Sequence, residues 1–231
     1  MPVRRFVVEL VARTRLSSRV HRLRFAARAP FDWAAGQHLV VVFGRGQALF
    51  LPYSIASASD PRKAGEFELA VAIDAGAEVM DSLPLGAELE VEGPAGNFTW
   101  QATPSPTALL VGVGTGVAPL RALIEEELAR ASERRLFLLA GHRTSEDVLF
   151  ADDFARLAAE HARFHFIPTL TSGGLTWLGR RGRVQAQLLP TVSSLAPLDA
   201  YVCGRVEMVS EVVQALVAHG IPESRIRSEG F

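Results

Sequence analysis

The chain changes its hydrophobic period once, and that change restricts it to a two-part architecture. In the first hundred or so residues, short runs of period two occur at 3–11, 20–25, 38–43, 48–55, 66–73 and 88–92, separated by Gly, Pro and Asp turns, among them a Gly44/Gly46 turn. A period of two sends successive side chains to opposite faces of a strand. Several short strands at this spacing predict a small barrel or sandwich, of which an antiparallel β-barrel is the fold expected here. One short helical patch, 78–83, interrupts them. Gln101-Ala-Thr-Pro-Ser-Pro106 then reads as a polar, Pro-rich hinge. Beyond it strands and helices alternate: strand 108–113, an amphipathic helix 117–130, strand 136–140, helix 150–160, strand 164–170, a helix near 184–189, strand 200–203, helix 208–219 and a last segment, 226–228, that completes the series. That alternation predicts a parallel α/β sheet. The expected organisation is a β-barrel domain over residues 1–101 and an α/β domain over 107–231.

Composition excludes several functions. A net charge of −1 gives no electrostatic case for nucleic acid or an anionic membrane surface. The single cysteine, Cys203, excludes an internal disulfide framework, a four-cysteine iron–sulfur cluster and a Cys-rich zinc site. The six histidines show no metal-binding spacing, and His161 and His165 read as structural or surface residues, so no metal is expected. The opening Met-Pro-Val-Arg-Arg-Phe-Val-Val-Glu has no signal-peptide core. The uncharged stretch 93–120 is broken by Pro94, Pro104, Pro106 and Pro119, which disqualifies it as a membrane helix. The expectation is a soluble cytoplasmic protein.

Four strings carry chemistry. In Leu51-Pro52-Tyr53-Ser54, an aromatic and a hydroxyl stand together at the end of an apolar run. Tyr53 can cover a flat ring while Ser54 and nearby N–H groups meet its polar edge. Leu109-Leu-Val-Gly-Val-Gly-Thr-Gly-Val-Ala-Pro-Leu120 leaves a strand, turns on Gly112, Gly114 and Gly116, and enters a helix. The helix N-terminus offers free N–H groups and a positive dipole end to a pyrophosphate. It is neither the dinucleotide fingerprint, having Val117 where a third Gly belongs, nor a P-loop. Taken alone, this loop fits an unliganded turn as well as a ligand site. Gly141-His142-Arg143 follows the second strand of that half, where Arg143 suits either a solvated loop or a nucleotide phosphate. Tyr201-Val-Cys-Gly-Arg-Val-Glu-Met208 ends a strand and opens a helix, and Cys203 reads either as a buried structural thiol or as a small polarizable neighbour of a ligand. Trp177-Leu-Gly-Arg-Arg-Gly-Arg-Val184 reads as a turn shaped by Gly179 and Gly182, and Glu125-Glu-Glu127 as a solvated helix face.

These strings, in this order and over nearly the whole chain, resemble the ferredoxin-NADP reductase superfamily, above all its stand-alone NAD(P)H:flavin oxidoreductases. The resemblance implies that Pro52, Tyr53, Ser54, the Val71 and Ala72 backbone, Met80 and the terminal Phe231 adjoin a flavin (FMN, FAD or riboflavin). It implies that Gly112, Gly114, Thr115, Gly116, Pro119, Arg143, Cys203, Gly204, Glu207 and Met208 hold NADH or NADPH. Ser54, Thr115 and Cys203 would border the reacting atoms. Phe231, in an ending similar to the family's Glu-x-Phe, would cover the flavin unless that terminus frays. Two departures matter: Leu51 stands where the family has a phosphate-binding Arg, and Met80 fills the Ser/Thr slot of the second phosphate grip, in Ala75-Gly-Ala-Glu-Val-Met-Asp-Ser-Leu83. Both point to a flavin that enters, is reduced and leaves. Ser172 is followed by Gly173-Gly174, which offers no second cation and favours NADH or no strict preference. Two alternatives stand beside this reading: an FAD-retaining reductase component that feeds a ferredoxin or oxygenase partner, and a non-enzymatic flavin- or nucleotide-binding module.

Overall fold

In the computed structural model, which describes residues 4–29, 31–43, 49–63, 65–73, 78–192, 195 and 197–231, the change of period becomes a change of sheet. The predicted Gly44/Gly46 turn and the stretch 75–77 lie outside the described residues. The first half contains β1 (Arg4–Arg15), β2 (Val20–Ala27), β3 (His38–Phe43), β4 (Leu49–Ser54), β5 (Glu66–Ala72), a short helix α1 (Glu78–Ser82) and β6 (Glu88–Ala95). Its strands form one sheet in the order β4-β3-β6-β1-β2-β5, antiparallel in every pair. The two edges meet just past β4, where Ile55 bridges to Leu69 and the Ala56 N–H donates to the Glu68 carbonyl at 2.7 Å. Leu10, Leu23, Leu39, Val41, Phe67 and Leu69 fill the interior of this barrel, as strand alternation requires.

The second half contains β7 (Thr107–Val113), α2 (Val117–Leu128), β8 (Arg135–His142), α3 (Ala151–Glu160), β9 (Phe164–Leu170), β10 (Arg180–Arg181), α4 (Val184–Val192), β11 (Leu198–Gly204), α5 (Val206–Ala218) and β12 (Ile226–Gly230). Its six strands are parallel, in the order β10-β9-β8-β7-β11-β12. Successive residues of β7 part to the two faces: Ala108 and Leu110 pack with α2 and α3, while Leu109 and Val111 pack with α4 and α5. A strand covered on both faces reads as a continuous apolar run, as this one does.

Three expectations are corrected here. Helix α2 is not amphipathic in place: Val20, Ala56 and Ala70 of the barrel pack against the side turned away from the sheet, and ten of its residues are buried, Arg121 and Glu127 included. The triple glutamate is not a solvated face either: the barrel reaches Glu125, while Glu127 is enclosed by its own half, beside Arg130 and Arg163. Glu125 accepts the Ala58 N–H at 3.1 Å, and Glu127 accepts the Ser132 hydroxyl at 2.7 Å. Nor does the Pro-rich segment hang free as a hinge. The Gln101 N–H donates to the Tyr201 hydroxyl at 2.9 Å, Arg225 holds the Thr103 carbonyl at 2.7 Å, and Ser105 donates twice to the buried Asp199, at 2.7 and 2.9 Å. No helix among the described residues is long and apolar enough to cross a membrane.

Candidate active site at the junction of the two sheets

The carboxyl ends of β7, β11 and β12 lie side by side, and their register sets the site: Cys203 is opposite Gly112 on one side and Glu229 on the other. Between β7 and α2 the chain makes a single tight turn, Gly114–Gly116. Gly112 allows α2 to approach its strand, since a Cβ there would meet Leu120 Cδ1 at 2.8 Å. Gly116 allows the turn to rest on the end of β11, where an added Cβ would lie 2.3 Å from the Cys203 carbonyl oxygen. Gly114 is different: its φ is +54°, and nothing lies within 4 Å of where a side chain would begin. The turn runs straight into α2, where the Val117 N–H is taken by the Gly114 carbonyl; the first turn has no acidic residue and no capping side chain among the described residues, so the positive dipole end is left uncompensated beside the exposed Gly114. That arrangement fits an anionic nucleotide pyrophosphate. Thr115 is half-buried in the turn and Pro119 buried in the helix; Arg143 is exposed beyond β8, and Glu207 is exposed on α5 while Met208 folds its Cε beneath Gly204.

From the barrel, β4 brings Pro52 exposed and Tyr53 and Ser54 half-buried, with Ser54 opposite His38. Strand β5 lies beside the Gly114–Gly116 turn. Beyond the Ile55–Ala56 contact, the outer edge of β5 at Val71 and Ala72 pairs with no strand among the described residues, leaving backbone groups for the edge of a ring. The Val71 and Met80 side chains are turned away: these residues are 1% and 0% exposed and belong to the barrel interior. Cys203 is fully buried, and burial raises its thiol pKa far above the ordinary range; it is a neutral, compact neighbour and not a nucleophile at neutral pH.

The C-terminus does not fray. β12 is the sixth strand of the parallel sheet, and the Phe231 N–H donates to the Gly204 carbonyl at 3.1 Å, leaving its ring exposed beside the site. This ladder reveals a residue that sequence reasoning missed. Glu229 has a buried Oε2 with no hydrogen-bond partner among the described residues. Burial raises its pKa, and nearby His38 offsets part of that effect. A lone carboxylate near the end of a sequence has no meaning until β12 pairs with β11; the adjacent Ser228-Glu-Gly-Phe231 string was the available signal. In the Trp177 turn, Arg180 donates to Thr191 Oγ1 at 2.6 Å, and the exposed Arg181 donates to the Trp177 carbonyl at 2.6 Å.

His142, just before Arg143, responds to pH. Burial lowers its pKa to about 4, against a smaller upward pull from Asp147, and its Nε2 has no partner among the described residues. An unfolded histidine takes a proton below about 6.5, which the folded one refuses until about 4, so this contribution is present above the unfolded value and lost as pH falls through that window. Between pH 7 and 4.5, wild type should lose about 2–3 kcal/mol more stability than His142→Leu by urea denaturation. Parallel losses in the two proteins would exclude His142 as the source.

Residues 7–100 match the family model described as an oxidoreductase FAD-binding domain, and residues 110–214 match an oxidoreductase NAD-binding domain. The chain is 35% identical over 241 aligned positions to ferredoxin–NADP reductase B of Sorangium cellulosum, covering 98% of this chain and 97% of that protein. It is 27% identical to an NAD(P)H-flavin reductase of Vibrio harveyi, covering 84% of each chain. Among solved structures, a cytochrome P450 reductase from Amycolatopsis superposes with a TM-score of 0.89 at 26% identity, over 100% of this chain and 70% of that one.

Proposed function

Because the chain belongs to the ferredoxin-NADP reductase superfamily of oxidoreductases, we propose that it transfers hydride from NADH or NADPH to a flavin (FMN, riboflavin or FAD) held weakly as a substrate. The observation that carries this reading is Leu51: on the outer strand of the barrel, in the slot of the expected phosphate-binding Arg, stands an apolar side chain. A charge-assisted contact is worth roughly 1.5–3 kcal/mol, so its loss weakens phosphate-bearing flavins by about one to two orders of magnitude. The similarity to an NAD(P)H-flavin reductase supports the same assignment.

In this reading, residues 1–101 take the flavin and 107–231 the nucleotide. The Gly114–Gly116 turn, the start of α2 and Arg143 take the phosphates, while Gly204, Glu207 and Met208 form the far wall. Tyr53 covers the flavin ring, Ser54 meets its polar edge, and Thr115 and Cys203 border the nicotinamide. The reaction breaks one C–H bond of the reduced nicotinamide and passes two electrons with that hydrogen to the flavin, while one further proton is taken up. Glu229, protonated to higher pH than an ordinary carboxylate, is placed to hold that proton. The protein's own contribution is to align two rings and exclude water.

Visible spectra before and after desalting, followed by NADH addition with and without FMN, test the proposal. A colourless protein that oxidises NADH only with added flavin supports it. A protein that stays yellow supports a second reading, a reductase component that retains FAD and passes electrons to a protein partner, which the similarity to ferredoxin–NADP reductase B favours. No oxidation with any flavin leaves a non-catalytic binding module. Leu51→Arg should tighten FMN and FAD by about 10- to 100-fold and leave riboflavin unchanged in fluorescence titrations. Equal gains for all three would refute the phosphate argument.

A further inference from the structure

Behind the site, one buried guanidinium joins the two halves. Arg121 projects from α2, one helical turn after Val117, with its side chain only 5% exposed. Its Nη1 donates to the Ala56 carbonyl at 2.7 Å and to Glu68 at 2.9 Å, both in the barrel. Its Nη2 meets Glu125 at 2.8 Å and Asp153 of α3 at 2.9 Å. Arg22 of β2 closes the ring from the other half, reaching Glu68 at 2.7 Å and Asp153 at 3.0 Å. Glu125 in turn holds the Ala58 N–H at 3.1 Å.

The ends of this tie matter more than its size. Ala56 lies two residues beyond Ser54, on the segment that presents the flavin-facing pair, and α2 begins at the turn assigned to the nucleotide. A single planar fork therefore spans the strand end that sets one ring and the helix that sets the other. Beneath it sits Phe150, buried, in the left-handed region at φ +55°, with the Arg121 guanidinium 4.8 Å and that of Arg22 5.7 Å from its ring centroid. A non-glycine residue keeps that conformation only where its surroundings over-determine it.

We propose that Arg121 is a positioning residue for hydride transfer, fixing the separation of the flavin and nicotinamide rings through its simultaneous hold on Ala56, Glu68, Glu125 and Asp153; this rests on the function proposed above. Hydride transfer needs reacting atoms about 3–3.5 Å apart, and an error near 1 Å costs about a hundredfold in rate. Binding of each ring to its own half tolerates far more. Lysine, a point charge without the fork, keeps the charge and loses the geometry.

The test compares wild type, Arg121→Lys and Glu68→Gln, each confirmed folded by circular dichroism, with NADH and riboflavin as probes. Both variants should lower kcat by about tenfold or more, with both KM values within about threefold of wild type. The primary isotope effect with NADH deuterated at the transferred position should rise, and long-wavelength charge-transfer absorbance on mixing should weaken. Folded variants with wild-type kcat, or with a lower kcat and an unchanged isotope effect, would overturn the proposal while leaving the reductase reading intact. A wild-type protein that oxidises no NAD(P)H with any flavin would overturn both.

Discussion

Asp199→Ala is expected to destabilise the protein by about 3–5 kcal/mol, the cost of removing one partner from a buried ion pair. Asp199 has no exposed surface, and its carboxylate is fully engaged: Arg134 at 2.5 Å, the Ser105 N–H and hydroxyl at 2.7 and 2.9 Å, and Arg225 at 3.2 Å. Removing it leaves the Arg134 guanidinium buried, with Nε and Nη1 already lacking partners among the described residues. Attraction to the Trp100 ring, 4.4 Å away, offsets only a small part of that loss. The Ser105 N–H is orphaned as well, and the connection between the halves loses its anchor. Denaturation followed by tryptophan fluorescence should show the loss, because Trp100 lies against both Arg134 and Tyr201. Combining Asp199→Ala with Arg134→Met should recover part of it, since deleting both charges costs less than stranding one. A single variant within about 1 kcal/mol of wild type would show that the pair contributes little.

The same contact explains what sequence could and could not reveal. Both sheets were legible because strand alternation and the strand–turn–helix grammar at Gly112, Gly114 and Gly116 are local signals. The pinning of the linker was not, because it depends on Asp199, 94 residues after Ser105. Glu125 reads as solvated because nothing in a helix states that a barrel from the other half will cover it. Met80, expected beside the flavin, proves to be barrel core, since a short helix shows its inward face only when the barrel closes over it. Glu229 gains its meaning from the β11–β12 ladder. In each case the missing information was a long-range contact, while the strand ends and the Gly114–Gly116 turn are written in consecutive positions.

Those turns lead to the second large effect: Gly116→Ala should lower kcat/KM for NAD(P)H by about a hundredfold and leave flavin affinity unchanged. Gly116 has ordinary backbone angles, φ −60° and ψ −14°, so conformation does not demand glycine there. Space does: an added Cβ would lie 2.3 Å from the Cys203 oxygen, 2.6 Å from its carbonyl carbon and 2.8 Å from the Gly204 Cα. All three are backbone atoms held in a parallel ladder, and none can rotate away. The turn must part from β11 by roughly 1 Å to reach ordinary contact. That displacement falls between Thr115 and Cys203, the two residues assigned to the nicotinamide. Gly114→Ala provides the contrast within the same loop: its side chain would meet no protein atom within 4 Å, so the fold bears only the left-handed backbone penalty of about 1–2 kcal/mol, and a further loss of nucleotide affinity reports a clash with the ligand itself. Steady-state kinetics with varied NADH, beside riboflavin titration of each variant, separates the two. A Gly116→Ala protein with wild-type kcat/KM would mean that the contact between this turn and β11 does not place the nucleotide.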